Sequence, residues 1–442
     1  MNNALDREYG FGSLFRYALP TIIMMIFMSL YTIVDGIFVS RFVGANALSA
    51  VNIVFPFISA TIGIGVMLAT GGSAVAARKL GEGDEEAACR SFTLLVLVAA
   101  GLGLAFSLVG LTLAEPLSRL LGASDLLISY CVDYLRIMLL FAPFSILQML
   151  FQSFFVTAGR PGLGLGLTVA SGLCNAVLDY VFIVPLGLGV AGAALATASG
   201  YLVTATAGVV FFLSRREGLR FRPTRWDGRM LARACGNGSS EMVTNLSNAV
   251  VTFLFNLLML RFVGEDGVAA ITIVLYAQFL LTALYLGFSM GVAPIVSFNH
   301  GAGNHARLGR VFRNCLGFLA LSSALVFGVA LGAAGFLVGV FSPPGTAVYD
   351  LALHGFRLFA PSFLFAGLNV FASSFFTALS DGLTSAVVSF ARTFGFLLVG
   401  LLVLPRLLGV DGVWLAVPFA EGVCCLLSAG FLIGKRKAFH YA

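Results

Sequence analysis

Charge is what this chain has least of. Asp, Glu, Lys and Arg together make up 10% of its 442 residues, against about 25% in soluble proteins. A water-soluble globule is excluded, because apolar side chains reach 59%. The cysteines, Cys89, Cys131, Cys174, Cys235, Cys315, Cys424 and Cys425, form no CxxC pair. Most sit in apolar runs, where a free thiol behaves as a small hydrophobe, so neither a structural disulfide nor a metal centre is expected. The histidines, His300, His305, His354 and His440, make no HExxH, and there is no GxxxxGK(S/T) and no GxSxG. ATP-driven transport and hydrolase chemistry thereby lose their usual signatures. The N-terminal MNNALDREYG lacks the basic region of a secretory signal, and the apolar stretch after it is too long for one, so it reads as a retained first span.

What is present is apolar length. A mean hydropathy of +0.99 runs along the whole chain, which implies many membrane spans instead of one anchor on a soluble domain. With 42 Phe and 51 Gly, helices can face lipid with bulky residues and each other with small ones. At about 20 residues per crossing, the sequence predicts twelve spans at 14–40, 48–77, 91–113, 126–157, 162–184, 191–213, 237–260, 268–297, 311–340, 348–378, 384–404 and 412–434. All are expected to be helical, because lipid gives open backbone no partner and the alternation of barrel strands is missing.

The net charge of +6 then reports orientation. With the N-terminus inside, the inner loops hold Arg78, Lys79, Arg90, Arg160, the central run from Arg215 to Arg233, Arg307, Arg310, Arg313 and Lys435 to Lys437. The outer loops hold Arg41, Arg119, Arg261 and Arg406. That bias predicts both termini in the cytoplasm, and it explains the basic linker without nucleic acid. The halves also repeat at an offset of 220: Arg41-Phe42-Val43-Gly44 returns as Arg261-Phe262-Val263-Gly264, and Gly71, Gly81 and Gly83 match Gly291, Gly301 and Gly303. The fold class expected is an all-α polytopic membrane protein with two pseudo-symmetric six-helix lobes in parallel orientation. Residues 1–213 form the N-lobe, 214–235 a cytoplasmic basic linker and 236–442 the C-lobe.

Ionisable residues inside spans are costly enough to suggest function. Asp35 is placed about 7 to 8 Å inside the outer end of span 1, and Asp179 lies at a similar depth in span 5. Asn175 precedes Asp179 by four residues and shares its face, and Thr197 falls roughly 9 Å below the same surface in span 6. Two carboxylates with amide and hydroxyl oxygens can bind Na⁺, or can hold a proton because desolvation and mutual repulsion disfavour two bare charges. The plainer alternative is two separately hydrogen-bonded structural residues. At the offset of 220 these positions become Phe255, Gly395 and Val399, and an asymmetric polar cluster on a repeated scaffold points to function.

Other candidates have two readings each. Glu241 is placed in the first turn of span 7, either complementing the helix N-terminus or serving substrate and cation access. Arg392 and Glu421 fall near mid-membrane on consecutive spans, where a buried ion pair is the plain reading and contact of Glu421 with a cationic substrate, tuned by Arg392, the other. Arg136 and Arg357 are expected to snorkel or pair, and Asp381 to lie in a loop or cap a helix. Pro20 lets span 1 kink, statically or as a hinge. Met24, Met25 and Met28 either line a tolerant cleft or face lipid.

At these residues the chain resembles the multidrug and toxic compound extrusion (MATE) transporters, in particular the bacterial branch of MepA-like and DinF-like proteins. The likeness covers essentially the full length. It rests on ALPTIIMMIFMSLYTIVDGIFVSRFVGANALSAVNIVFP and NAVLDYVFIVPLGLGVAGAALAT in the first half, and on SSEMVTNLSNAVVTFLFN followed by LRFVGEDGVAAITIV in the second. The resemblance implies two six-helix lobes and efflux of mostly cationic, amphipathic compounds in exchange for H⁺ or Na⁺. It maps a cation site of the first lobe to Asp35, Asn175, Asp179 and Thr197, and a bending first helix to Pro20. Some members add a second-lobe site with acids on spans 7 and 10. Here Glu241 is present, but span 10 carries no acid between Arg357 and Ser380, which favours the first-lobe cluster.

The reading is therefore a secondary active exporter of small organic cations in a bacterial cell membrane, in contact with membrane lipids. Beyond the coupling ion it requires no cofactor, and no obligate protein partner. A flippase for lipids or lipid-linked sugars would favour a cationic cleft, and an intramembrane enzyme would need a nucleophile and base at matching depth, against which the absence of intramembrane His argues.

Overall fold

The computed structural model describes residues 4–441. Within that range the side chains of Ile37, Val39, Ser40, Arg41, Ala45 and Leu48 lie outside the described residues, and with them the Arg41 side chain used above for orientation. Among the described residues the chain is helical and contains no strand, as a hydrocarbon environment demands. Long helices run back and forth: α1 Phe11–Phe42, α2 Ala45–Gly81, α3 Glu85–Leu120, the pair α4 Ile128–Leu140 and α5 Ala142–Thr157, α6 Pro161–Ile183 and α7 Gly189–Ser214. After an irregular segment come α8 Gly228–Phe262, α9 Glu265–Gly301, α10 His305–Gly332, the short α11 Ala334–Gly339, and the pair α12 Ala347–Phe359 and α13 Ser362–Ala378. Then follow α14 Gly382–Phe390, a π-helical turn Ala391–Gly395, α15 Phe396–Leu408, α16 Val410–Gly434 and the single turn α17 Arg436–Phe439. Among the described residues ten helices are long and apolar enough to cross a bilayer, and each bent pair adds one more, giving up to twelve.

Two of the twelve predicted spans are broken where a single run was expected. α4 meets α5 at 53° and α12 meets α13 at 56°. A proline explains both, Pro143 just inside α5 and Pro361 just before α13, since each removes a backbone donor and disfavours helix in the residue before it. Span 7 also begins earlier than its hydropathy indicated. α8 starts at Gly228, capped by Asp227, whose carboxylate accepts the Met230 amide at 2.9 Å, so the irregular part of the basic stretch is 215–227.

The repeat reappears as geometry. α2 and α9 begin and end 220 residues apart. So do the caps that follow them: Asp84 accepts from the Ala87 amide at 2.9 Å, and Asn304 from the Arg307 amide at 3.1 Å. The halves touch most closely at the end of the bundle where α2 and α9 finish and α8 begins, hereafter the linker end. A Cβ on Gly81 would lie 2.0 Å from the Phe298 carbonyl oxygen, and one on Gly301 would lie 2.1 Å from that of Arg78. Beside them, a Cβ on Gly71 would meet the Ala234 carbonyl oxygen at 1.9 Å, and one on Gly238 that of Met67 at 1.9 Å. Backbone lies directly on backbone, which in lipid supplies the dispersion energy that the hydrophobic effect does not.

Gly238→Ala and Gly81→Ala should each lower stability by about 1–3 kcal/mol, the usual penalty of overpacking. Gly328→Ala, which has nothing within 4 Å of the new Cβ, should be neutral or better. Thermal unfolding of the purified variants checks this, and equal midpoints for all three would contradict the tight seam.

Candidate functional site

The polar residues singled out in the first half converge because small residues let their helices touch. Gly172 on α6 admits the Phe27 ring of α1, whose Cε1 would lie 2.6 Å from a Cβ there. Gly200 on α7 lies against Ser171 of α6, whose hydroxyl donates to the Gly200 carbonyl at 2.7 Å. One turn beyond Ser171, the Asn175 amide donates to the Thr197 hydroxyl at 3.4 Å. Two turns beyond the Phe27 contact, Asp35 reaches Asp179, and the two carboxyl groups come within side-chain interaction distance of each other. Asn175 and Asp179 are 3% and 2% exposed, whereas Asp35 and Thr197 are half-buried. All four predicted residues thus share one locus, on α1, α6 and α7.

Three tyrosines complete it that sequence reasoning missed. Tyr31 and Tyr134 stand within electrostatic reach of both carboxyls, and Tyr201 within reach of Asp35. Two carried a signal, because Tyr31 lies one turn before Asp35 and Tyr201 one turn after Thr197. Tyr134 of α4 carried none, since it arrives only through packing of α4 on α7. One oxygen of each carboxyl, Asp35 Oδ1 and Asp179 Oδ1, is buried with no hydrogen-bond donor among the described residues. The donor set is therefore two carboxyls, an amide and several hydroxyls, all oxygen ligands suited to a hard monovalent cation or a shared proton. Among the described residues no three His, Cys, Asp or Glu side chains gather.

The second half answers with a salt bridge. Arg392, on the π-helical turn, donates Nε to Glu421 Oε1 at 2.8 Å, and Asn369 Nδ2 donates to Glu421 Oε2 at 2.7 Å and to the Glu421 carbonyl at 2.9 Å. Ser428 closes the network by donating to Asn369 Oδ1 at 2.8 Å. The plain reading of Arg392 and Glu421 is thus the observed one. The first-turn placement of Glu241 is wrong: the early start of α8 puts it more than three turns inside the helix, within electrostatic reach of Arg392. Asp381 is a cap as expected, accepting from the Thr384 amide and hydroxyl and from Lys435. Arg136 and Arg357 are exposed. α1 continues as helix through Pro20. Met24 is buried near Gly164 of α6 and Met28 sulfur lies 4.0 Å from Gln152 Nε2, so these two methionines face protein and not lipid.

Away from the linker end, the second half contains a cavity of about 920 Å³ among α8, α9 and the α11–α12 region. Phe253, Tyr276 and Phe341 form aromatic walls, with Glu265 and Asn256 as polar points. Asn256 Oδ1 is buried without a partner among the described residues. Tyr276 stacks on Phe341 at 5.9 Å between centroids, and its hydroxyl comes 3.9 Å from where a Cβ on Gly36 would sit. The cavity wall thus touches α1 at the residue next to Asp35.

The model of the MatE family matches residues 20–181 and 242–402. The multidrug export protein MepA of Staphylococcus haemolyticus is 24% identical over 433 residues, covering 97% of this chain and 94% of that protein. MepA of Staphylococcus aureus is 23% identical, with 95% and 93% covered. Among solved structures, an outward-facing conformation of a multidrug resistance MATE family transporter superposes with a TM-score of 0.91 at 22% identity, covering 97% of this chain and 96% of that one. MATE in the straight conformation gives 0.91 at 21% identity over 97% and 96%. These structures share the fold.

Removing one member of the second-half salt bridge strands a buried charge, at a typical cost of about 3–5 kcal/mol. Arg392→Leu should show that loss in thermal unfolding, and adding Glu421→Leu should recover most of it. A double variant no better than the single one would contradict the pairing as the stabilising contact.

Proposed function

The chain belongs to the MatE family, and on that premise we propose that it is a secondary active exporter that expels amphipathic organic cations in exchange for H⁺ or Na⁺. The observation that carries the reading is the contact of Asp35 with Asp179, each with a buried oxygen free to accept. Two facing carboxyls in a poorly polarisable lobe hold negative charge that a proton or a Na⁺ can neutralise, so the local structure depends on which ion is bound. Asn175 and Thr197 supply the further oxygens. The three tyrosine hydroxyls can follow either state, since each can donate or accept.

The linker end is assigned to the cytoplasm by its Lys and Arg bias. Both termini then lie inside, in a multi-pass protein of the bacterial cell membrane, with residues 1–213 and 236–442 as two lobes joined by the basic linker. The glycine seam would be the closed cytoplasmic side, and the carboxyl pair would be loaded from outside. Loading changes the charge on α1, and Pro20, which removes one backbone hydrogen bond, gives that helix a place to bend. Asp35 and Gly36 are neighbours, and Gly36 meets the Tyr276 wall of the aromatic cavity. Movement of α1 is thereby passed to the cavity, whose apolar walls and single carboxylate, Glu265, suit an amphipathic cation. If ion and substrate exchange, each must weaken the binding of the other by the same factor. Glu241 would be an accessory acid, since Glu421 is committed to Arg392 and Asn369.

Asp35→Asn and Asp179→Asn should each abolish gradient-driven transport of ethidium into inverted membrane vesicles, with the variants still inserted at wild-type level. Imposing pH and Na⁺ gradients separately identifies the coupling ion. Undiminished transport by both variants would overturn the assignment.

A further inference from the structure

At the linker end a second cavity, of about 750 Å³, lies between α2, α3 and the segment leading into α8. Its walls present Lys79, Arg90 and Arg225, the Ser91 hydroxyl, the Trp226 indole and a single carboxylate, Asp227. That carboxylate is engaged, since its Oδ1 accepts the Met230 amide. Arg90 is paired with Glu86 one turn earlier on α3. Among the described residues no carboxylate lies within ion-pair distance of Lys79 or Arg225. The surplus in the wall is therefore cationic, and two of its three cations have no counter-ion among the described residues.

The frame is hydrogen-bonded to α3 although the segment between α7 and α8 is irregular. Lys79 donates to the Ser91 hydroxyl at 2.7 Å. The Thr224 hydroxyl donates to the Arg90 carbonyl at 3.0 Å, and the Arg222 amide to the Thr93 hydroxyl at 3.0 Å. These bonds lay 222–224 along α3. Leu94 and Met230 give the cavity an apolar floor, while Trp226 is 75% exposed, the placement of an aromatic side chain at a membrane–water boundary. The volume would hold on the order of two dozen waters, far more than a bare ion fills.

We propose that this cavity binds the phosphate headgroup of an anionic membrane lipid, with Lys79 and Arg225 on the phosphate and the exposed Trp226 indole against the glycerol and the start of the acyl chains, above the apolar floor. The fit follows from paired basic residues at the mouth of an amphipathic pocket beside the membrane surface. A soluble phosphate would satisfy the cations but leave the apolar floor and the indole without a role. The site draws Lys79 and Arg90 from the first half, Arg225 from the linker and Met230 from the start of α8, so a bound lipid ties the first half to the linker and α8 beside the glycine seam.

The test titrates purified full-length protein in detergent with dioctanoyl-phosphatidylglycerol, dioctanoyl-phosphatidylcholine and inorganic phosphate, following tryptophan emission, because Trp226 lines the cavity and Trp414 is fully buried. Phosphatidylglycerol should give a saturable change that phosphatidylcholine does not. Lys79→Gln with Arg225→Gln should weaken it by about 25-fold, from roughly fivefold per basic side chain near an anionic surface. The charge-retaining pair Lys79→Arg with Arg225→Lys should keep it, which separates lost charge from lost folding. Equal responses to the two lipids, or an unaltered isotherm in the Gln pair, would overturn the proposal. Saturation by inorganic phosphate at the same concentration as the lipid would overturn the assignment to a lipid.

Discussion

A hydrocarbon slab gives a buried charge or an open backbone group no partner, so each must find one within the protein or draw one in from solution. The helices, their glycine contacts and the placement of every intramembrane charge here answer to that constraint. Where Arg392 and Glu421 meet, the answer is internal: Arg392 takes one Glu421 oxygen, Asn369 the other, and Ser428 donates to Asn369. Where Asp35 and Asp179 meet, it is not. Two like groups face each other, and each keeps an oxygen that no described donor reaches. A site built this way has an unspent capacity for a cation.

That difference lies on a scaffold whose halves are otherwise alike. The ends of α2 and α9 and the caps that follow them recur at the same offset, each half has one bent helix pair, and the glycines of α2 and α9 seat each half on the other by matching contacts. Repetition explains how the halves pack, and its failure at Phe255, Gly395 and Val399 marks where they diverge. At the carboxyl pair the first half is rich in oxygen. In the second half, Phe255 is buried core, Gly395 ends the π-helical turn that carries Arg392, and the nearby cavity is aromatic. A carboxyl pair in one half and an aromatic cavity in the other, in contact through Gly36 and Tyr276, is the arrangement on which the proposed exchange rests.

Much of this was legible in the residues. Span number follows from apolar length, and the carboxyl cluster from depth, because a helix of fixed rise converts sequence distance into position within the bilayer. The bends at Phe141 and Ala360 were hidden, since hydropathy is blind to direction and a proline inside an apolar run admits either a kink or a break. The start of α8 was hidden because its first turns are basic and polar, extending beyond the apolar stretch, and Glu241 was misplaced with it. Tyr134 was out of reach for another reason: its role depends on which helices pack side by side, and periodicity within one helix does not hold that information.

The central claim is that Asp35 and Asp179 hold the ion whose binding opposes that of the substrate. Equilibrium binding of ethidium to the purified protein, measured across pH at fixed Na⁺ and across Na⁺ at fixed pH, tests it without any membrane gradient. The account predicts that one of the two ions weakens ethidium binding progressively, and that Asp35→Asn with Asp179→Asn removes this dependence while ethidium still binds. The same ion dependence in the double variant as in the wild type would contradict it.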